Sequence, residues 1–180
     1  MFVRFNPKTI RVVAFDCVNT VFDVSNLTRE QLSRYIEQVR DLEWSPLCVD
    51  PDWLNCPAHA DSAEGINRIS KSEDYLAVTF SNWPAWVLSD LSEGAAIYWS
   101  AIVPMETVQA YKPSPVVFNN LCDIFNVEPN EVLVVTANET APDIKAAGEL
   151  GMQAILIDRE RKHGPEVPKT IIELAEMLGC

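Results

Sequence analysis

The chain contains no unbroken apolar run of about 18 residues, so no helix able to cross a bilayer is expected. Its opening MFVRFNPKTI lacks an apolar core ahead of a small-residue cleavage site, which argues against a secretory leader. Positive charge is scarce: 14 Lys and Arg stand against 26 Asp and Glu, a net charge of -12. A field of that sign repels phosphate backbones and anionic lipid, so neither nucleic acid nor a membrane surface is expected as a partner. A small anionic substrate held by one local cation remains compatible with it. The five cysteines are odd in number and irregular in spacing, and they outline no disulfide framework. Cys48, Cys56 and His59 lie near Asp50 and Asp52, but the tight C-x2-4-C pair of a zinc site is missing. These absences leave a reduced, cytoplasmic protein as the expectation.

What is present is a chain of 180 residues, 48% hydrophobic, enough for one compact domain with a small insertion. Five apolar runs read as strands: Arg11–Phe15, Leu76–Phe80, Ala96–Val103, Glu131–Val135 and Gln153–Ile157. Most are continuously apolar rather than alternating, as suits strands covered on both faces of a parallel sheet. Helical patterns follow at Trp83–Glu93, Pro113–Phe125, Ala141–Leu150 and Pro168–Leu178, each with proline at or near the first turn. The alternation predicts an α/β fold, a Rossmann-like doubly wound parallel sheet. The stretch from about Val24 to Ser72 breaks this rhythm. It opens on the capping-box sequence Thr28-Arg29-Glu30-Gln31, heading a helix to about Arg40, and carries a second short helix near Ala63–Ser70. The expected division is a core of residues 1–23 and 73–180 with a small, mostly helical cap at 24–72. An apolar surface on that cap would permit a homodimer. Trp44, Trp53, Trp83 and Trp86 are expected mainly to pack, with Trp83 and Trp86 on one helix face.

Ligands of open parallel sheets collect outside the carboxyl ends of the strands. Asp16 ends the first predicted strand and Ser81-Asn82 the second. Lys112 lies in the connection after the third, Thr136-Ala137-Asn138 end the fourth, and Asp143 opens the next helix. Two carboxylates, a hydroxyl and an ammonium are thus expected on one edge.

These segments carry a resemblance. VVAFDCVNTVFD at 12–23 resembles the first motif of the haloacid dehalogenase superfamily, and VTFSN at 78–82 its second. YKPSPVVF at 111–118 is very similar to its third, and VVTANETAPDIKAAGELGMQAILIDR at 134–159 to its fourth. A carboxylate at Asp16 facing an electrophile can act as a nucleophile, forming an ester or acyl phosphate that water cleaves. Lys112 would supply positive charge, Ser81 a hydrogen bond to an anionic group, and Asp143 would orient or deprotonate the water or ligate magnesium. The resemblance implies the same roles.

Within the superfamily, phosphatases usually have an acid two residues after the nucleophile. Val18 stands there and cannot protonate an alkoxide, whereas a halide leaves unaided. Asn138 occupies an acidic position of the phosphatase magnesium site, leaving Asp16 and Asp143 as the charged ligands should that chemistry hold. Ser81-Asn82, YKPSP and Asn138 are more similar to the 2-haloacid dehalogenase branch, which needs no cofactor. There the resemblance implies Asn82 as a halide contact, Thr20 and Asn138 as substrate-binding residues, and a cap arginine as halide receiver. Arg34 is the candidate, with Arg29 and Arg40 on the same predicted helix. Valine rather than tyrosine at 18, asparagine rather than glycine at 19, a longer Asn138–Asp143 spacing and a shorter cap depart from that branch. The expected function is a 2-haloacid dehalogenase. A Mg2+-dependent small-molecule phosphatase and a non-catalytic binding member of the fold are the alternatives.

Overall fold

The computed structural model describes residues 5–40, 44–140 and 142–180. The first four residues of the N-terminal segment and Ala141, expected at the head of a helix, lie outside them. Four parallel strands form one sheet in the order β2-β1-β3-β4: β1 (Val12–Phe15), β2 (Leu76–Thr79), β3 (Val132–Thr136) and β4 (Gln153–Leu156). β1 is hydrogen-bonded on both sides, with Val12 opposite Leu76 and Val132. Its side chains alternate between two apolar layers, Val13 and Phe15 to one and Val12 and Ala14 to the other. Both faces are covered, which is why the strand reads as unbroken hydrophobe.

The helices are α1 (Arg29–Arg40), α2 (Ser62–Lys71), α3 (Ala85–Gly94), α4 (Pro115–Phe125), α5 (Pro142–Glu149) and α6 (Ile171–Leu178). α1 starts on the expected capping box: the Thr28 amide donates to Gln31 Oε1 at 2.8 Å and the Gln31 amide to Thr28 Oγ1 at 3.2 Å. α4 begins two residues later than its proline suggested, because a turn from Tyr111 to Ser114 comes first (2.9 Å). α5 is closed by Gly151 at φ 82°, a left-handed stop that suits glycine. α2 packs along α6 and β2 through Ser62, Gly65, Ile66 and Ile69. The approach at Gly65 is close: a Cβ there would sit 2.6 Å from the Ile171 carbonyl carbon.

One expected strand is absent. Ala96–Val103 runs beside β2 but makes only a single bridge, between Val78 and Ala101. Side chains take ladder positions from the backbone: Ser100 Oγ accepts the Ala77 amide (3.1 Å) and Thr79 Oγ1 the Val103 amide (2.9 Å). Ala96 at φ 53° and Pro104 bound the segment. Apolar content made it look like a strand, and local polar competition undid the ladder.

The tryptophans also differ from the expected common helix face. Trp83 precedes α3 and is buried, stacked on Trp53 at 5.2 Å, whereas Trp86 is exposed. That stack ties the short 3-10 turn Pro51–Asn55 to the core. Among the described residues, no helix is long and apolar enough to cross a membrane.

Candidate active site

The carboxyl ends of β1 and β3 deliver the site. Asp16 follows β1 directly, its amide donating to Val135 O at 2.8 Å, so its side chain emerges at the sheet edge. Lys112 Nζ lies 2.9 Å from Asp16 Oδ1 and 2.6 Å from Asp143 Oδ2, with all three side chains nearly buried. Asp143 reaches this ammonium from the first turn of α5. The expectation that Asp16, Lys112 and Asp143 meet is realised in this geometry.

The remaining groups hold these three in place. Thr20 Oγ1 donates to Asp16 Oδ2 at 2.9 Å and accepts the Ala137 amide at 2.9 Å, while Thr136 Oγ1 lies 3.4 Å from the same carboxylate oxygen. Thr20 is fully buried, and its hydroxyl orients the carboxylate. Asn82 clamps the Lys112 backbone: its Oδ1 accepts the Lys112 amide at 2.8 Å and its Nδ2 donates to the Lys112 carbonyl at 3.2 Å. It also borders the cavity. Ser81 is fully buried, and its hydroxyl accepts the Trp83 amide at 3.2 Å. It does not border the cavity, and it shapes the strand end. Asn138 borders the cavity, but its Oδ1 is engaged by the Thr140 amide and hydroxyl at 3.1 and 3.0 Å.

Burial raises the Asp16 carboxyl above its usual range; the Lys112 ammonium opposes this and Asp143 adds to it. Burial alone would lower the Lys112 pKa, yet the charges of Asp143 and Asp16 outweigh it and hold the ammonium protonated. The adjacent Cys17 thiol is pushed up by burial and by Asp16, which keeps it protonated and inert.

Above this floor lies a cavity of about 750 Å³. α1 forms one wall with Leu32, Tyr35, Ile36 and Val39, and Trp44 with Tyr111 forms another. The Trp44 and Tyr111 rings are 4.8 Å apart, and the Tyr111 hydroxyl donates to Ser45 O at 2.5 Å. Arg34 is not part of this wall: it pairs with Asp50 at 3.4 Å, is largely exposed, and borders a separate small hollow. The arginine of α1 that borders the cavity is Arg40. The reason is helical phase, since Arg34 falls outside the 32, 35, 36, 39 stripe. Tyr35 escaped the sequence reading. Its hydroxyl lies near Asn82, and burial followed by the Asp16 charge pushes its pKa up. Its place in the apolar stripe of α1 was the signal that could have found it.

Among the described residues two carboxylates, Asp16 and Asp143, converge, and both are bound to Lys112 Nζ, so a magnesium ion held by them would sit beside that ammonium. Among the described residues, no group of three or more His, Cys, Asp or Glu gathers elsewhere.

Comparison with known proteins agrees with this geometry. The profile of the family described as haloacid dehalogenase-like hydrolase matches residues 23–157. The (S)-2-haloacid dehalogenase 4A of Burkholderia cepacia is 29% identical over 105 residues, 57% of this chain and 44% of that protein. The chain therefore spans less than half the length of that curated relative. The crystal structure of a defluorinating L-2-haloacid dehalogenase superposes with a TM-score of 0.74 at 20% identity, over 98% of this chain and 99% of that one. For the L-2-haloacid dehalogenase from Xanthobacter autotrophicus the TM-score is 0.72 at 16% identity, over 94% and 98%. Identities this low speak to the fold. With a family match across most of the sequence and the sheet edge assembled as described, the chain belongs to the haloacid dehalogenase-like hydrolases.

Proposed function

We propose that this chain hydrolyses the carbon–halogen bond of 2-haloacids through an ester of Asp16. The observation that carries the reading is the arrangement of Asp16, Lys112 and Asp143 on the floor of a largely apolar cavity, with Val18 where an acid would serve an alkoxide leaving group. An Asp16 carboxylate oxygen attacks the carbon bearing the halogen, and halide departs with the bonding electrons. Thr20 and Thr136 hold the nucleophile, and Lys112 offsets the charge of the incoming small anionic substrate. Water then adds to the Asp16 ester carbonyl. Asp143 accepts its proton, the 2-hydroxy acid leaves, and the Asp16 carboxylate is restored. The balance is 2-haloacid plus water to 2-hydroxy acid, halide and a proton.

Asn82 serves mainly by fixing Lys112, Asn138 borders the entrance, and Arg40 is the arginine placed to meet substrate. Residues 24–72 act as the cap over a core of 1–23 and 73–180, with α1 and Trp44 the parts of the cap that border the cavity. Sequence similarity to a named (S)-2-haloacid dehalogenase supports the reading.

The test is halide release from 2-chloro- and 2-bromocarboxylates with a chelator present, beside Asp16→Asn. The expected result is turnover unaffected by the chelator and reduced by about 10³–10⁶ in the variant. Magnesium-dependent phosphate release from an aryl phosphate, with no halide release, would overturn the proposal in favour of a phosphatase.

A further inference from the structure

Helix α1 has an amphipathic sequence, yet the one residue it buries is Gln31, which serves the cap. Its apolar stripe is divided: Leu32 and Tyr35 pack in part against the core, Tyr35 edge-on to Trp53 at 5.5 Å, while all of Leu32, Tyr35, Ile36 and Val39 border the cavity and Ile36 remains 57% exposed. Helices in folded domains ordinarily turn such a stripe to a core. Here the part of it that borders the cavity shares the lining with the Trp44–Tyr111 ring pair, in which the Tyr111 hydroxyl is tied to Ser45 O. Charged groups on the lining are Asp16, Lys112 and Asp143 on the floor and Arg40 on α1, with Asn19, Asn82, Ser114 and Asn138 as further polar members. A cavity of about 750 Å³ lies in the range that encloses drug-sized molecules. A two- or three-carbon acid over Asp16 would leave nearly all of the aromatic and aliphatic wall in water.

We infer that the occupant of this cavity is a carboxylic acid carrying an aryl or medium-length alkyl group, its polar end over Asp16 and Lys112 and its apolar end between α1 and the Trp44–Tyr111 pair. The inference deepens the proposed function and rests on it for the reactive end of the substrate. The wall sets the preference, because each methylene moved from water onto apolar surface tightens binding by about fourfold.

The experiment titrates the wild-type protein with unreactive acids, namely acetate, butanoate, hexanoate and 3-phenylpropanoate, by calorimetry, with the change in intrinsic tryptophan fluorescence that Trp44→Phe removes as a second readout. In parallel, halide release is measured for the matching 2-bromo acids. The expected result is a Kd that falls by about fourfold per methylene and a kcat/KM that rises in step. Ile36→Ser should flatten the series, and as Ile36 is exposed the fold is insulated from the change. A Kd that is flat along the series, or lowest for acetate, overturns the inference, as does binding of none of the acids. Halide release from bromoacetate with no gain for longer acids sinks this inference and leaves the proposed reaction standing. Tightening along the series with no halide release supports the apolar occupant while sinking the proposed reaction.

Discussion

Replacing Lys112 with methionine tests the electrostatic core of the site. In the native protein one ammonium bridges two carboxylates at 2.9 and 2.6 Å, with side chains 4%, 13% and 7% exposed. Removing one partner of a buried ion pair costs about 3–5 kcal/mol, because the charge left behind is neither solvated nor compensated. For a chain of this size that is a fall in Tm of roughly 6–20 °C. The loss should also depend on pH. Burial and Asp143 already hold the Asp16 pKa above its ordinary 3.8 against the opposing pull of Lys112, so losing Lys112 raises it further. A carboxyl whose folded pKa exceeds its unfolded value binds more protons folded than unfolded, so stability falls as pH rises through that window. The Lys112 pKa is itself raised, so its contribution is complete below the ordinary ammonium value of 10.5 and is lost only above it. Lys112→Met should therefore be most impaired near pH 8 and recover toward about pH 5, more steeply than wild type. Thermal denaturation by circular dichroism across that range is the assay. Lys145→Met, at an exposed pair 3.7 Å from Glu149, is the control, and Lys112→Met with Asp143→Asn should regain part of the loss. A Tm within a degree or two of the control with no added pH slope would refute the reasoning.

Other substitutions probe separate links. Gly65→Ala puts a methyl 2.6 Å from the Ile171 backbone and should cost about 1–3 kcal/mol in denaturant titrations; an unchanged midpoint would mean α2 and α6 can separate freely. Tyr35→Phe removes only the hydroxyl beside Asn82 and should lower kcat/KM for halide release by up to about tenfold with little change in Tm. Arg40→Gln should raise KM, whereas Arg34→Gln should leave it within about twofold, because Arg34 is paired with Asp50 away from the cavity. Equal effects of the two arginines on KM would contradict the phase of α1.

The sheet was legible because β1 and β3 are covered on both faces and so read as unbroken hydrophobe, and the helix starts because proline and the Thr28–Gln31 box are local signals. Asp16, Lys112 and Asp143 were legible because strand ends are where such a sheet gathers polar groups. The segment Ala96–Val103 was misread since side-chain competition from Ser100 and Thr79 is invisible to an apolar count. For Ser81 and Thr20 the burial and the bonds each makes to the chain itself were not legible, because they depend on distant or folded backbone.

By itself, then, the sequence determined the parallel α/β core, the acidic character and the carboxylate–ammonium–carboxylate set, all of which follow from local pattern and strand-end position. Tertiary structure alone decided which face of α1 meets the site, and with it Tyr35 and Arg40 over Arg34. It also decided that Asn82 grips the backbone of Lys112, thirty residues away in sequence, and that an apolar cavity stands over the floor. Those outcomes depend on helix phase and on contacts between distant segments, which no local pattern encodes.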